Sequence, residues 1–331
     1  PREAAGASSP QAAARRTSPE DFEVEVHRYE LENGLVVLLA PDPTAASVFV
    51  AAAHRAGALM EPPKKTGLAH LVEHLLITGT ATDTYGHAAK SRGALHFNAF
   101  TGPTFMRFEL ELPPEELPFA LWLTADRLAG RIERVTPELF ERERAIIRVE
   151  RALRALDRPF AVADQAILDH LFPSSHAFHG GVLGKPDDLA RVTLDDARAF
   201  ARAWVHPGTG VLLIAGAFDL ATARRLVEDT VARVPPGPTP RRARARAQRT
   251  REAEVAAREA WSRRPRVSLV WKLPPLDTTT RETLTLGAAL VAGFVDGAFG
   301  ARVRAGVLDL ESDAVFRMDV ILPHDKPIEA A

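Results

Sequence analysis

The run Gly67-Leu68-Ala69-His70-Leu71-Val72-Glu73-His74-Leu75-Leu76 sets two histidines and a glutamate in the order H-x-x-E-H among aliphatic residues. On a helix advancing about 100° per residue, His70, Glu73 and His74 fall within about one third of the circumference, while Leu71, Val72, Leu75 and Leu76 fill the opposite arc. The spacing predicts a helix that packs by its aliphatic face and turns two imidazoles toward one point. With 11 histidines in 331 residues, such a pentapeptide arises by chance on the order of 0.03 times per chain. The competing reading is a surface helix with two incidental histidines and a solvated glutamate.

Cysteine is absent, which excludes a disulfide framework and a thiolate site, so a metal here must be held by His, Asp or Glu. A catalytic metal needs three protein ligands and an open position, and the third must come from elsewhere in the chain. Glu73 shares the helix but is spared from coordination, which places it to act as general base. The composition is 46% hydrophobic and 26% charged, with 42 Lys+Arg against 43 Asp+Glu. Such a balance supports a real core and gives no global field toward nucleic acid or anionic lipid. No apolar run approaches the roughly 18 residues of a membrane span.

Outward from the motif, residues 1–20 are rich in Ala, Ser, Pro and Arg and read as a disordered leader. A start at Pro1 in place of Met fits an exported, periplasmic protein after processing, with the cytoplasm as the alternative. Alternating Val24, Val26, Tyr29 and Leu31 lead into Asn33-Gly34 and then Leu35-Val36-Val37-Leu38-Leu39. That pattern predicts a hairpin turning at Asn33-Gly34, since both residues tolerate positive φ. Strands are expected at 48–51, 95–101, 105–112 and 211–215, and helices at 115–128, 137–156, 161–171, 194–204 and 221–234. They intermix without strict alternation, which favours an α+β sandwich with an antiparallel-rich sheet.

Pro235-Pro236-Gly237-Pro238-Thr239-Pro240, followed by Arg241, Arg242, Arg244, Arg246, Arg249 and Arg251, marks a boundary. Without interleaved aromatics the basic run reads as a solvated linker rather than a nucleic-acid patch. The expected organisation is a zinc-binding catalytic domain at 21–236, a linker at 237–255 and a partial second domain at 256–331. The last carries strands at 267–273 and 314–322 and a helix at 281–292.

H-x-x-E-H followed about 75 residues later by a glutamate on another helix resembles the signature of the pitrilysin/insulinase family, which includes the mitochondrial processing peptidases. The stretch Phe140-Glu141-Arg142-Glu143-Arg144-Ala145-Ile146-Ile147-Arg148-Val149-Glu150 carries that glutamate. Asn33-Gly34-Leu35, Gly57, Glu61-Pro62-Pro63, Gly79-Thr80, Asn98-Ala99-Phe100-Thr101, Ala125-Asp126-Arg127, Leu183-Gly184 and Asp188-Leu189 resemble further landmarks of the family. The register runs from about Val24 to Val234. Thr104 stands where relatives commonly carry an acidic residue, and Ile77-Thr78 replace a more usual pair containing an aromatic. A substrate-binding arginine and tyrosine of the family's second domain have no match here.

The resemblance implies a metallopeptidase fold in which His70, His74 and Glu150 hold Zn2+. It implies that Glu143, one helical face-repeat before Glu150, supports the site from beside it. It also implies that the strand at 95–101 is an edge on which an extended peptide adds by β-augmentation, with Asn98 and Ala99 as contacts. The function expected is a zinc-dependent endopeptidase acting on short or unfolded polypeptides, working with a second homologous half from the same chain, a homodimer or a heterodimer. The alternative within the family is a non-catalytic or regulatory subunit that assembles or binds.

Overall fold

The computed structural model describes residues 24–324 apart from 79–83, 158, 175, 177, 240–252, 255, 257–263, 297–300 and 311–312. The expected leader at 1–20, most of the linker at 237–255 and the Gly79-Thr80 landmark lie outside the described residues. No helix among the described residues is long and apolar enough to cross a membrane.

Six strands form the main sheet: β1 (His27–Glu30), β2 (Val36–Pro41), β3 (Val48–His54), β4 (His96–Thr101), β5 (Met106–Leu112) and β6 (Gly210–Gly216). Their order is β1-β2-β6-β3-β5-β4, antiparallel throughout except for the parallel pair β2 and β6. Period-two patterning explains the single packed face. In β5, Met106, Phe108, Leu110 and Leu112 are buried while Arg107, Glu109 and Glu111 are half-buried. Helices α1 (Leu68–Ile77), α2 (Tyr85–Ser91), α3 (Leu117–Leu128), α4 (Pro137–Asp157), α5 (Ala161–Leu171), α6 (Pro186–Arg191), α7 (Leu194–Trp204) and α8 (Leu220–Asp229) complete the unit. One apolar cluster joins sheet and helices, so the architecture is the expected α+β sandwich. Local chemistry sets the helix starts. Thr193 and Asp196 close a capping box on α7, and the Asp219 side chain accepts from the Thr222 amide on α8.

The first hairpin forms, but its turn is not the two-residue one expected. Residues 31–35 connect the strands, and of the Asn33-Gly34 pair only Gly34, at φ 85°, is left-handed. Asn33 is buried and reaches away from the hairpin: Nδ2 donates to the carbonyls of Val231 and Val234, both at 2.9 Å, and Oδ1 accepts from the Leu35 amide. Asn33 thus ties the hairpin to the chain beyond α8. Two expected helices are shorter than anticipated. Residues 114–116 form a 3-10 turn ahead of α3, and α8 stops at Asp229 before a 3-10 turn at Val231–Arg233.

Beyond residue 263, β7 (Arg266–Leu273), α9 (Thr278–Val295), β8 (Arg302–Asp309) and β9 (Ala314–Ile321) form an antiparallel sheet of order β7-β9-β8 with one helix. Ala58, Leu171, Phe172, Phe178, Leu310 and Val315 form a second apolar cluster where α5 and the loop after it meet this sheet. Beside it the buried His176 Nε2 lies 3.4 Å from Asp313 Oδ2.

Candidate metal centre

The chain enters α1 through Gly67, whose left-handed φ of 91° turns the backbone into the helix. A Cβ there would strain that conformation and stand 3.1 Å from the Leu183 carbonyl. Gly67 brings no capping side chain, and the cap comes from Glu61. Its carboxylate accepts from the Gly67 amide at 3.0 Å and from the Ala69 amide at 2.8 Å. Burial pushes the Glu61 carboxyl up, against those two backbone bonds. Thr66 is held in turn by Asp188 Oδ2 at 2.8 Å and by the Lys185 amide at 2.9 Å. Glu61→Ala strands two buried helix-start donors, and is expected to cost about 1–3 kcal/mol in denaturant unfolding. An unfolding midpoint like that of the unsubstituted chain would show that water caps α1 equally well.

On α1, Leu71, Val72, Leu75 and Leu76 are at most 1% exposed, so the aliphatic arc packs as the spacing predicts. The facing arc is also covered: His70 and Glu73 are buried and His74 is half-buried. Helix α4 crosses this face and supplies Glu150. Its Oε2 lies 3.7 Å from His70 Nε2 and 3.5 Å from His74 Nε2. One donor atom from each of the three residues lies within 4.8 Å of the others. A tetrahedral ion with bonds of about 2.0–2.1 Å sets its ligand atoms about 3.3 Å apart, so the set fits a three-ligand site with a fourth position open.

The surroundings sort these groups into roles. His74 Nδ1 points the other way and meets Glu143 Oε2 at 3.3 Å, which leaves Nε2 for the shared point. Glu143 is 3% exposed, and Arg142 holds its other oxygen at 3.2 Å. Burial works against that carboxylate's charge, yet the bonds from His74 and Arg142 prevail and lower its pKa. Burial likewise acts to lower His74, but Glu143, Glu73 and Glu150 outweigh it and raise it. His70 has no such partner at Nδ1 among the described residues, and burial drives it down to about 3, with His74 and Arg154 adding to the effect. Arg154 pairs with Glu150 Oε1, the oxygen turned away from the imidazoles. Burial raises the Glu73 carboxyl, opposed by a hydrogen bond donated by the Thr101 hydroxyl.

The structure therefore brings His70, Glu73, His74, Glu143 and Glu150 together. Asn98 and Ala99 lie on β4, one of the two edge strands, whose far side has no strand partner among the described residues. Asn98 is exposed and Ala99 half-buried, opposite Glu109 and Phe108 of β5. His96 stands apart from the metal group, 3.2 Å from Glu109. Sequence reasoning gave no site role to Glu61, Thr101 or Arg154. A carboxylate six residues ahead of a glycine-led helix was the one local signal for Glu61.

The insulinase (peptidase family M16) model matches residues 36–170, and the model of the M16 inactive domain matches residues 191–307. Protease 3 of Salmonella typhimurium is 33% identical over 159 residues, covering 46% of this chain and 16% of that protein. An uncharacterized zinc protease of Bacillus subtilis, YmxG, is 24% identical over 196 residues, covering 58% of this chain and 46% of that protein. The matched stretch thus spans less than half the length of either relative. A protease from Helicobacter pylori shares the fold with a TM-score of 0.77 at 20% identity, over 93% of this chain and 77% of that one. With H-x-x-E-H on α1, the distant glutamate on α4 and matches on both sides of residue 180, the chain belongs to the pitrilysin/insulinase (M16) family of peptidases.

Proposed function

We propose that this chain is the metal-bearing part of a zinc-dependent endopeptidase that cleaves short or unfolded polypeptides. The observation that carries the reading is the convergence of His70 Nε2, His74 Nε2 and Glu150 Oε2, with Glu73 on the same helix outside that set. Zinc bound by these three supplies a Lewis acid that polarises a scissile carbonyl and acidifies water. Glu73 takes the proton of the attacking water and returns it to the leaving amine. Glu143 fixes the His74 ring by holding Nδ1. An extended substrate adds along β4, where main-chain hydrogen bonds near Asn98 and Ala99 give affinity with little demand on sequence.

A second reading, a non-catalytic subunit, draws on the match of residues 191–307 to the M16 inactive domain. The quartet His70, Glu73, His74 and Glu150 lies outside that match and is intact, which favours the peptidase. Digestion of a peptide library with and without a chelator, read by mass spectrometry, tests the choice. Cleavage that the chelator abolishes and zinc restores supports the peptidase, and a zinc-loaded chain that cleaves nothing even when mixed with a second homologous half supports the subunit.

Affinity for an extended peptide must come from surfaces on both sides of it, because zinc held by His70, His74 and Glu150 would polarise only one carbonyl. We infer that a second homologous half supplies the other side. The kcat/KM of this chain is expected to rise when it is extended at its C-terminus or mixed with such a half at equal zinc occupancy. An unchanged kcat/KM would mean that the present residues already bind substrate fully.

A further inference from the structure

The end of the edge strand and the buried carboxylate of α1 touch. Thr101 is the last residue of β4, 4% exposed, and its hydroxyl donates to Glu73 Oε2, whose residue is 7% exposed. We propose that Thr101 is a positioning residue that sets the orientation of the Glu73 carboxylate and couples it to the strand on which peptide adds. The inference rests on the reading of Glu73 as general base.

A hydroxyl carries one proton. Given to Oε2, it fixes one oxygen and leaves Oε1 as the free acceptor. The geometry matters only if Thr101 is itself held, and four neighbouring contacts hold it. Thr101 pairs with Met106 of β5 in the ladder, and the turn closes directly after it through the Gly102 amide to the Phe105 carbonyl at 2.7 Å. The turn is pinned from the other side by the segment leading to α1: the Ala58 amide donates to Gly102 O at 3.2 Å and the Leu59 amide to Pro103 O at 2.9 Å. This approach needs a glycine at 57, where a Cβ would stand 2.4 Å from the Pro103 carbonyl oxygen. The hydroxyl is thus fixed by backbone on both sides, the kind of support that keeps a reacting group in its productive geometry. A peptide adding along β4 meets a strand whose end already sets the base.

The test uses Thr101→Val, which keeps the shape and removes the donor, and Thr101→Ser, which keeps the donor. In the zinc-loaded chain Thr101→Val is expected to lower kcat about 10- to 100-fold, the scale of a misplaced reacting group. KM and zinc content stay near those of the unsubstituted chain, and Thr101→Ser recovers most of the loss. A second readout needs neither metal nor turnover. In thermal unfolding of the metal-free chain, Thr101→Val and Glu73→Met, which removes both oxygens at similar length, should give a joint Tm loss smaller than the sum of the separate losses. Additive Tm losses would overturn the proposal, as would normal kcat in Thr101→Val or equal deficits in the Ser and Val variants. A zinc-loaded chain that cleaves no peptide even when mixed with a second homologous half refutes the peptidase reading instead, and the unfolding cycle then decides by itself whether Thr101 holds Glu73.

Discussion

Glu73→Gln is expected to lower peptide hydrolysis by about 10²- to 10⁴-fold, the range of general-base catalysis, while zinc content stays near that of the unsubstituted chain. The reason lies in the division of labour on α1. His70 and His74 turn their Nε2 atoms toward Glu150, whereas Glu73 lies outside the ligand set and bonds to Thr101. Glutamine keeps the size of the side chain and still accepts from the Thr101 hydroxyl, so packing changes little. It cannot take a proton from water. Metal analysis beside single-turnover kinetics separates the two effects, and brisk turnover in a zinc-loaded Glu73→Gln chain would remove Glu73 from the mechanism.

Substitution on α4 should divide Glu150 from Glu143. Glu150 Oε2 faces both Nε2 atoms, so Glu150→Gln removes a charged ligand and is expected to weaken zinc binding by well over 100-fold. Glu143 meets only the far nitrogen of His74, and an amide oxygen still accepts from an Nδ1–H. Glu143→Gln should therefore cost about 10-fold in zinc affinity, at the lower end for an outer partner of a ligating histidine, and impair turnover at full occupancy. Competition with a chromogenic chelator measures both. Tight zinc binding in Glu150→Gln, with loss in Glu143→Gln, would exchange the two roles.

Legibility from sequence followed the length and periodicity of each element. Helices α1 and α4 each show a strong pattern over several turns, so both were placed within a residue or two, and the spacing of Glu143 and Glu150 put them on one face. Helices α2 and α6 escaped notice because six or seven residues carry too little periodicity to read. Strand β8 was missed because Arg302 and Arg304 break its apolar run and Gly306 reads as a breaker. Asn33-Gly34 signalled a turn correctly, yet a dipeptide cannot reveal that Asn33 bonds to carbonyls nearly 200 residues away. The role of Thr101 is likewise a contact between elements, from β4 to α1, which no local pattern encodes, whereas the Glu150–Arg154 pair is an i,i+4 spacing within α4.

The position of β6 between β2 and β3 has a bearing on biosynthesis. Both neighbours leave the ribosome long before Gly210–Gly216, and until then each presents a row of unpaired N–H and C=O groups along an apolar strand. Closing a sheet by inserting a distant strand is slow, because the chain between must first surrender its freedom. His70, Glu73, His74 and Glu150 are all made before that strand. The chemistry is thus translated ahead of the frame that aligns it, and a nascent chain stalled before Gly210 carries every metal-site residue on helices beside a half-open sheet prone to pairing with its neighbours.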